Sequence, residues 1–221
     1  MDMDWFGVRE TEPELRAGVP ETGGVAGLAP SPRRGFLKLA ALGGAALAGA
    51  TWLESAGALG SRGPSQAQDR QIFNFALVLE ELKNSFYADA LANGALSGEL
   101  KRFAEVAGGH ERAHAAFLRR ALGKHARPVP RFRFGAATRE AVAFTATAVK
   151  LEELAVAAYN GQAGNLTKSG LGAAIKIVSV EGRHAAWIRA IADEAPAPRA
   201  ADPGEGAAEV DAALRKLHLH R

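Results

Sequence analysis

The sequence predicts an all-α fold: a four-helix bundle with a long crossover between the second and third helices. Three observations carry this. Alanine and leucine are abundant while aromatic residues make up only 7% of the chain, and the central region lacks regular strand-and-turn punctuation. Four segments place apolar residues at helical spacing, and the breaks between them run short, long, short. The phrase Leu-Glu-Glu-Leu occurs twice, at 79–82 and 151–154, each time followed five residues on by a tyrosine, Tyr87 and Tyr159.

Residues 1–67 read as a leader and signal. The stretch 1–32 is acidic, contains proline and glycine and has no helical stripe, so it reads as disordered. Arg33 and Arg34 then precede Gly35, Phe36, Leu37 and Lys38 and a weakly apolar, glycine- and alanine-rich run. A charged start, an apolar middle and a small-residue exit resemble a twin-arginine export signal. Cleavage after Ala67 or after Ala58 fits the small-residue rule, and 67 is the boundary taken here. The alternative is an uncleaved membrane anchor, for which residues 39–53 are short and glycine-rich beside the ~20 apolar residues a span needs.

Residues 68–195 hold the four helical segments, 71–93, 97–122, 138–163 and 171–194. "NGALSG" breaks the first from the second and "GQAGNLTKSG" the third from the fourth. "GKHARPVPRFRFGAA" is too rich in proline to be helical and long enough to cross the bundle. Its basic residues admit an anion-binding reading, against that of a solvated crossover with Phe132 and Phe134 docked on the helices. Residues 196–221 read as a flexible tail, in which "EVDAALRKLHLHR" can form a short helix and His218 with His220 can bind metal loosely.

At about 100° per residue, Glu80 shares a face with Phe73, Ala76, Tyr87 and Leu91, while Glu81 turns out with Asn74, Ser85 and Asp89. Glu152 likewise lies with Ala148, Val156 and Tyr159, and Glu153 goes with Lys150 and Asn160. On the second helix, Glu111 and His114 fall in the arc of Phe103, Ala107, Leu118 and Leu122. On the fourth, Glu181 and His184 join Ala174, Ile177, Ile188 and Ile191. Four carboxylates and two imidazoles therefore face a bundle interior, where an isolated charge costs several kcal/mol. Two divalent cations would balance four negative charges, with neutral histidines completing the coordination. Tyr87 and Tyr159 are placed to support the ligands by hydrogen bonds. His110 shares the buried arc but has Val180 at the matching position of the fourth helix, so it reads as a core or supporting histidine rather than a ligand. Lys83 also falls in the apolar stripe of the first helix, where it can snorkel or pair with an acid.

The order Glu, Glu-x-x-His, Glu, Glu-x-x-His resembles the ferritin-like superfamily of di-iron and di-manganese carboxylate proteins. "NFALVLEELKNSFY", "HERAHAAFLRRAL" and "VEGRHAAWIRAI" resemble, more closely, the bacterial ferritin-like domain family that includes desiccation-related proteins and is often exported by the twin-arginine machinery. The likeness covers roughly residues 70–195. It implies that Glu80 and Glu152 are terminal ligands, Glu111 and Glu181 bridge, and His114 and His184 are terminal nitrogen ligands.

Composition narrows the function. Cysteine is absent, which excludes disulfides, thiolate zinc sites and Cys-ligated iron–sulfur clusters. A formal net charge of +3 is too small to imply nucleic acid as a partner. The expectation is an exported protein, in the periplasm or at the cell exterior, binding two divalent metal ions, iron or manganese. It reacts with a small-molecule oxidant, dioxygen or hydrogen peroxide, as a peroxidase, catalase or oxidase would. The alternatives are a non-catalytic metal-binding or stress-protective bundle and an iron-storage cage. Zinc also suits such ligands. The sequence names no catalytic residue and no oligomeric state.

Overall fold

Ser65, in extended conformation, accepts a hydrogen bond from the Gln68 N–H at 3.2 Å and so caps the first helix, α1 (Gln66–Asn93). The computed structural model describes residues 63–217. The leader, the paired arginines, the cleavage position after Ala58, His218 and His220 lie outside them. Ala67 is inside α1, so a cut there would remove the cap and a cut after Ala58 would keep it. Among the described residues no helix is long and apolar enough to cross a membrane.

Helix α1 starts five residues earlier than the apolar pattern suggested because Ser65 supplies the cap. It ends at Gly94, whose φ of 69° lets its N–H turn back to the Leu91 carbonyl. A short turn leads to α2 (Gly98–Leu122), and the crossover to α3 (Ala141–Gln162). A second short turn brings the chain to α4 (Lys168–Ile191), where Thr167 caps through its hydroxyl to the Gly170 N–H at 3.1 Å. The Asp69 carboxylate accepts from both the N–H and the hydroxyl of Thr167. That places a negative charge at the start of α4, where the helix dipole favours it, and ties α4 to α1.

The helices pair α1 with α2 and α3 with α4, and the two pairs meet through α1 with α3 and α2 with α4. Contacts between α1 and α3 run in opposite senses: Tyr87 meets Glu152, and Tyr159 meets Glu80. The two helices are thus antiparallel, which the long crossover makes possible. Phe86 stacks on Phe144 with centroids 5.0 Å apart, Tyr87 and Phe134 pack edge-on against Phe86, and Phe103 packs edge-on against Tyr87. Phe132 and Phe134 are half-buried against the core. Asn74 fixes the crossover: its amide donates to the His125 carbonyl at 3.0 Å, and its oxygen accepts from the Arg127 N–H at 2.7 Å. The sequence placed Asn74 on the outward face, and the structure buries it because the crossover lies over that face.

Beyond α4 the chain is held rather than free. The Glu205 N–H donates to the Ala157 carbonyl of α3 at 2.8 Å, and a fifth helix, α5 (Ala207–Lys216), buries Ala207, Val210 and Leu214 against the bundle. The glycine- and proline-rich composition that reads as a flexible linker here serves a close backbone approach to Gly161.

Candidate metal centre

Glu80 from α1, Glu111 from α2, Glu152 from α3 and Glu181 from α4 are fully shielded from solvent. The i, i+3 spacing on α2 and α4 turns His114 and His184 to the same centre. His114 Nδ1 lies 3.0 Å from Glu181 Oε1, 3.5 Å from Glu111 and 3.7 Å from Glu80. His184 Nδ1 lies 3.1 Å from Glu111 Oε1 and 3.6 Å from Glu152. All six residues expected at the centre meet there.

They form two overlapping sets, Glu80, Glu111, His114 and Glu181, and Glu111, Glu152, Glu181 and His184, each with its ligand atoms within 4.8 Å of one another. Glu111 and Glu181 belong to both sets, while Glu80 with His114 and Glu152 with His184 stand at opposite ends. The tyrosines cross between helices: Tyr159 donates to Glu80 Oε1 at 2.6 Å, and Tyr87 donates to Glu152 Oε1. Tyr87 reaches this place because α2 has Gly108 beside it; a Cβ there would stand 2.9 Å from the Tyr87 Cβ.

These findings join with the family comparison. A model of the ferritin-like domain matches residues 68–194. The chain belongs to the ferritin-like domain family. No curated protein gives a significant match.

Two residues of this ferritin-like centre differ from the sequence expectation. His110 is exposed at the rim rather than buried; its Nδ1 lies 2.9 Å from His184 Nε2 and the two rings stack, with centroids 5.2 Å apart. It supports His184, whose Nδ1 then faces the carboxylates. Lys83 neither snorkels to solvent nor makes a single pair. Its ammonium stands among all four glutamates, in close contact with Glu181 and at 2.9 Å from Glu111, 3.4 Å from Glu80 and 3.4 Å from Glu152. A charge count based on the acids alone overlooked this cation. The signal was present, since a lysine one helical turn after a buried glutamate shares its face.

The electrostatics follow from this crowding. Burial pushes Glu181 upward, and the neighbouring Glu111 adds to it, to about 8 despite Lys83. Burial pushes Glu152 upward too, but the Lys83 charge and His184 prevail and hold it at about 2. Glu80 is likewise held well below the carboxylate range by Lys83 and His114 against the cost of burial. Burial disfavours charge on both histidines, yet the surrounding carboxylates raise His114 to about 11 and His184 to about 9.

The donor set fits a divalent cation on one further observation. Glu80 Oε2, both Glu111 oxygens, Glu181 Oε1, His114 Nδ1 and His184 Nδ1 are buried and make no hydrogen bond of ordinary geometry, only ion-pair contacts with Lys83 and with one another. Buried polar atoms are normally satisfied, and carboxylate oxygen with imidazole nitrogen suits divalent first-row metals.

Proposed function

We propose that this protein holds iron or manganese in the carboxylate–histidine cluster and uses it to react with dioxygen or hydrogen peroxide outside the cytoplasm. The observation that carries this reading is the convergence of buried carboxylates and imidazoles from four helices, in two sets sharing Glu111 and Glu181. Glu80 and Glu152 would be terminal ligands, Glu111 and Glu181 shared ones, and His114 and His184 the nitrogen ligands. A bound redox-active ion would polarise the oxidant and exchange electrons with it.

The protein's own groups prepare that chemistry. Tyr159 and Tyr87 each occupy one oxygen of a terminal carboxylate and leave the other turned inward. Burial keeps bulk water from the carboxylates, which strengthens every charge interaction within the site. His110 contacts His184 Nε2 from the exposed rim, a route by which a proton at that nitrogen can reach solvent.

Metal analysis of protein purified from its native location, beside a Glu111→Ala, Glu181→Ala double variant, tests the site. Bound iron or manganese that is lost in the variant supports it, and absence of metal from both overturns it. Peroxide consumption and spectral change on exposure to oxygen then test the reactivity. A second reading, a non-catalytic stress-protective bundle, draws on the complete burial of the carboxylates and on the lysine that already offsets their charge. It expects strong stabilisation by metal without turnover. Export rests on the paired arginines, and the Ser65 cap favours cleavage after Ala58 in that scheme; N-terminal sequencing of exported protein reads the cut directly.

A further inference from the structure

The six converging side chains differ in their access to water. Glu80, Glu111, Glu152 and Glu181 have no exposed surface, and only His114, at 13%, and His184, at 3%, keep any. Both histidines stand where α2 faces α4. On the opposite side Tyr87 and Tyr159, both buried, bond across α1 and α3 and close the wall. Along the α2–α4 face itself, Phe103 packs edge-on against Trp187 with centroids 5.3 Å apart and against His184 at 6.4 Å, which closes the part of that face nearer the start of α2. Beside this seal lies His110, one helical turn before His114. It is exposed, its ring stacks on that of His184, and its Nδ1 is 2.9 Å from His184 Nε2. The Nδ1 atoms of His114 and His184 face carboxylates. Imidazole nitrogens therefore run without a break from water, through His110 and His184, to the buried acids.

We propose that a divalent ion enters and leaves the centre between α2 and α4, with His110 as the residue that first takes it from water and passes it to His184. This rests on the metal-binding reading above and adds the route by which the ion reaches its buried ligands. A hydrated cation that moves into a packed interior loses solvation worth several kcal/mol. An imidazole nitrogen is a good ligand for first-row divalent ions, and at the threshold it offsets part of that loss. The same contact also supports the His184 ring, but the two roles act on different states. Support stabilises the bound ion, whereas a ligand at the threshold lowers the barrier and so speeds entry and release alike. One charge opposes the approach. Arg183 on α4 is exposed and close enough to His110 to disfavour positive charge there, so it also repels an incoming cation.

The test follows cobalt(II) uptake by the metal-free full chain through its absorption in stopped flow, release to a chelator, and equilibrium affinity by titration. Wild type is compared with His110→Gln and Arg183→Gln. Glutamine at 110 can still accept a hydrogen bond from His184 Nε2 but lacks the imidazole. The expected result is that His110→Gln slows uptake and release together by about tenfold with the equilibrium affinity unchanged, and that Arg183→Gln quickens uptake. Unchanged rates in His110→Gln overturn the proposal by placing entry elsewhere. Weaker affinity through faster release overturns it by reducing His110 to a support for His184. Circular dichroism checks folding; if His110→Gln does not fold, the Arg183→Gln rate decides, since uptake no faster than in the wild type overturns a route past that residue. No cobalt bound by the wild type removes the metal-binding reading itself, and the route with it.

Discussion

Tyr159, on α3, donates its phenol hydrogen to Glu80 on α1 at 2.6 Å, and the same bond runs in reverse from Tyr87 on α1 to Glu152 on α3. Each tyrosine thus positions a carboxylate on the neighbouring helix and ties α1 to α3. Tyr159→Phe removes the donor without changing the ring and leaves Glu80 Oε1 buried and unpartnered. The expected cost is about 1–3 kcal/mol in the metal-free protein by denaturant melts, with metal affinity reduced by roughly 10- to 100-fold. Unchanged affinity would show that the phenol does not orient the ligand.

Much of this centre was legible from helical rotation alone. A 3.6-residue period separates Glu80 from Glu81 and Glu152 from Glu153 by a large angle, and in the structure the first of each pair is fully buried while Glu81 and Glu153 pair with Arg119 and Arg189 nearer the surface. Rotation could not say which tyrosine meets which glutamate, because that depends on the antiparallel setting of two helices joined by a long crossover. It also misplaced Asn74 and His110. The crossover covers Asn74, whereas among the described residues His110 stays exposed on the side away from His184. Lys83 was visible on the inward face, but its four partners come from four helices, and only their assembly shows it to be central.

The pH dependence of the metal-free protein follows from the same charges. His114 at about 11 and His184 at about 9 lie above their ordinary 6.5, so their contribution to stability is full below about pH 6.5 and is lost as pH rises through 9 and 11. Glu181 is raised from 4.5 to about 8, so its protonated form is favoured in the fold and its contribution also fades as pH rises through 8. Metal binding needs the opposite forms, neutral imidazole and ionised carboxylate. Thermal melts in chelator should therefore fall between pH 6.5 and 9, while the additional stabilisation by manganese should grow over the same window. Calorimetry in buffers of different ionisation enthalpy at pH 7 should show protons released on binding. A metal effect independent of pH would mean that these groups do not coordinate.

Asn74 makes a separate, purely structural prediction. Its side chain bridges α1 to the crossover through the His125 carbonyl and the Arg127 N–H, and also donates to the Arg70 carbonyl at 2.8 Å. Asn74→Ala should destabilise the protein by about 1–3 kcal/mol, because the partner groups lose their bonds in a partly buried place. Asn74→Asp keeps the acceptor for Arg127 and loses the donor for His125, so it should fall between the wild type and the alanine variant in urea melts. Equal stability of all three would show that the crossover is held by Phe132 and Phe134 alone.

Gly161 separates two opposing effects. Within α3, replacing glycine by alanine should on helical propensity alone stabilise the protein by about 1 kcal/mol. Yet the backbone of Glu205 lies against this glycine so closely that an added Cβ would overlap its carbonyl, and a Cβ on Gly204 would in turn stand 3.0 Å from the Gly161 nitrogen. The Glu205 N–H bond to Ala157 and the Asn160 bond to the Pro203 carbonyl depend on that approach. Gly161→Ala should push the segment off α3 and expose the face of α5 that carries Val210 and Leu214. Hydrogen exchange should rise over residues 203–216 and limited proteolysis should cut between 196 and 206, while the α1–α4 centre keeps its metal affinity. A variant that melts higher than the wild type with an unchanged proteolysis pattern would mean that the tail can shift at little cost, and that α5 is held by its apolar face rather than by the backbone contact at Gly161.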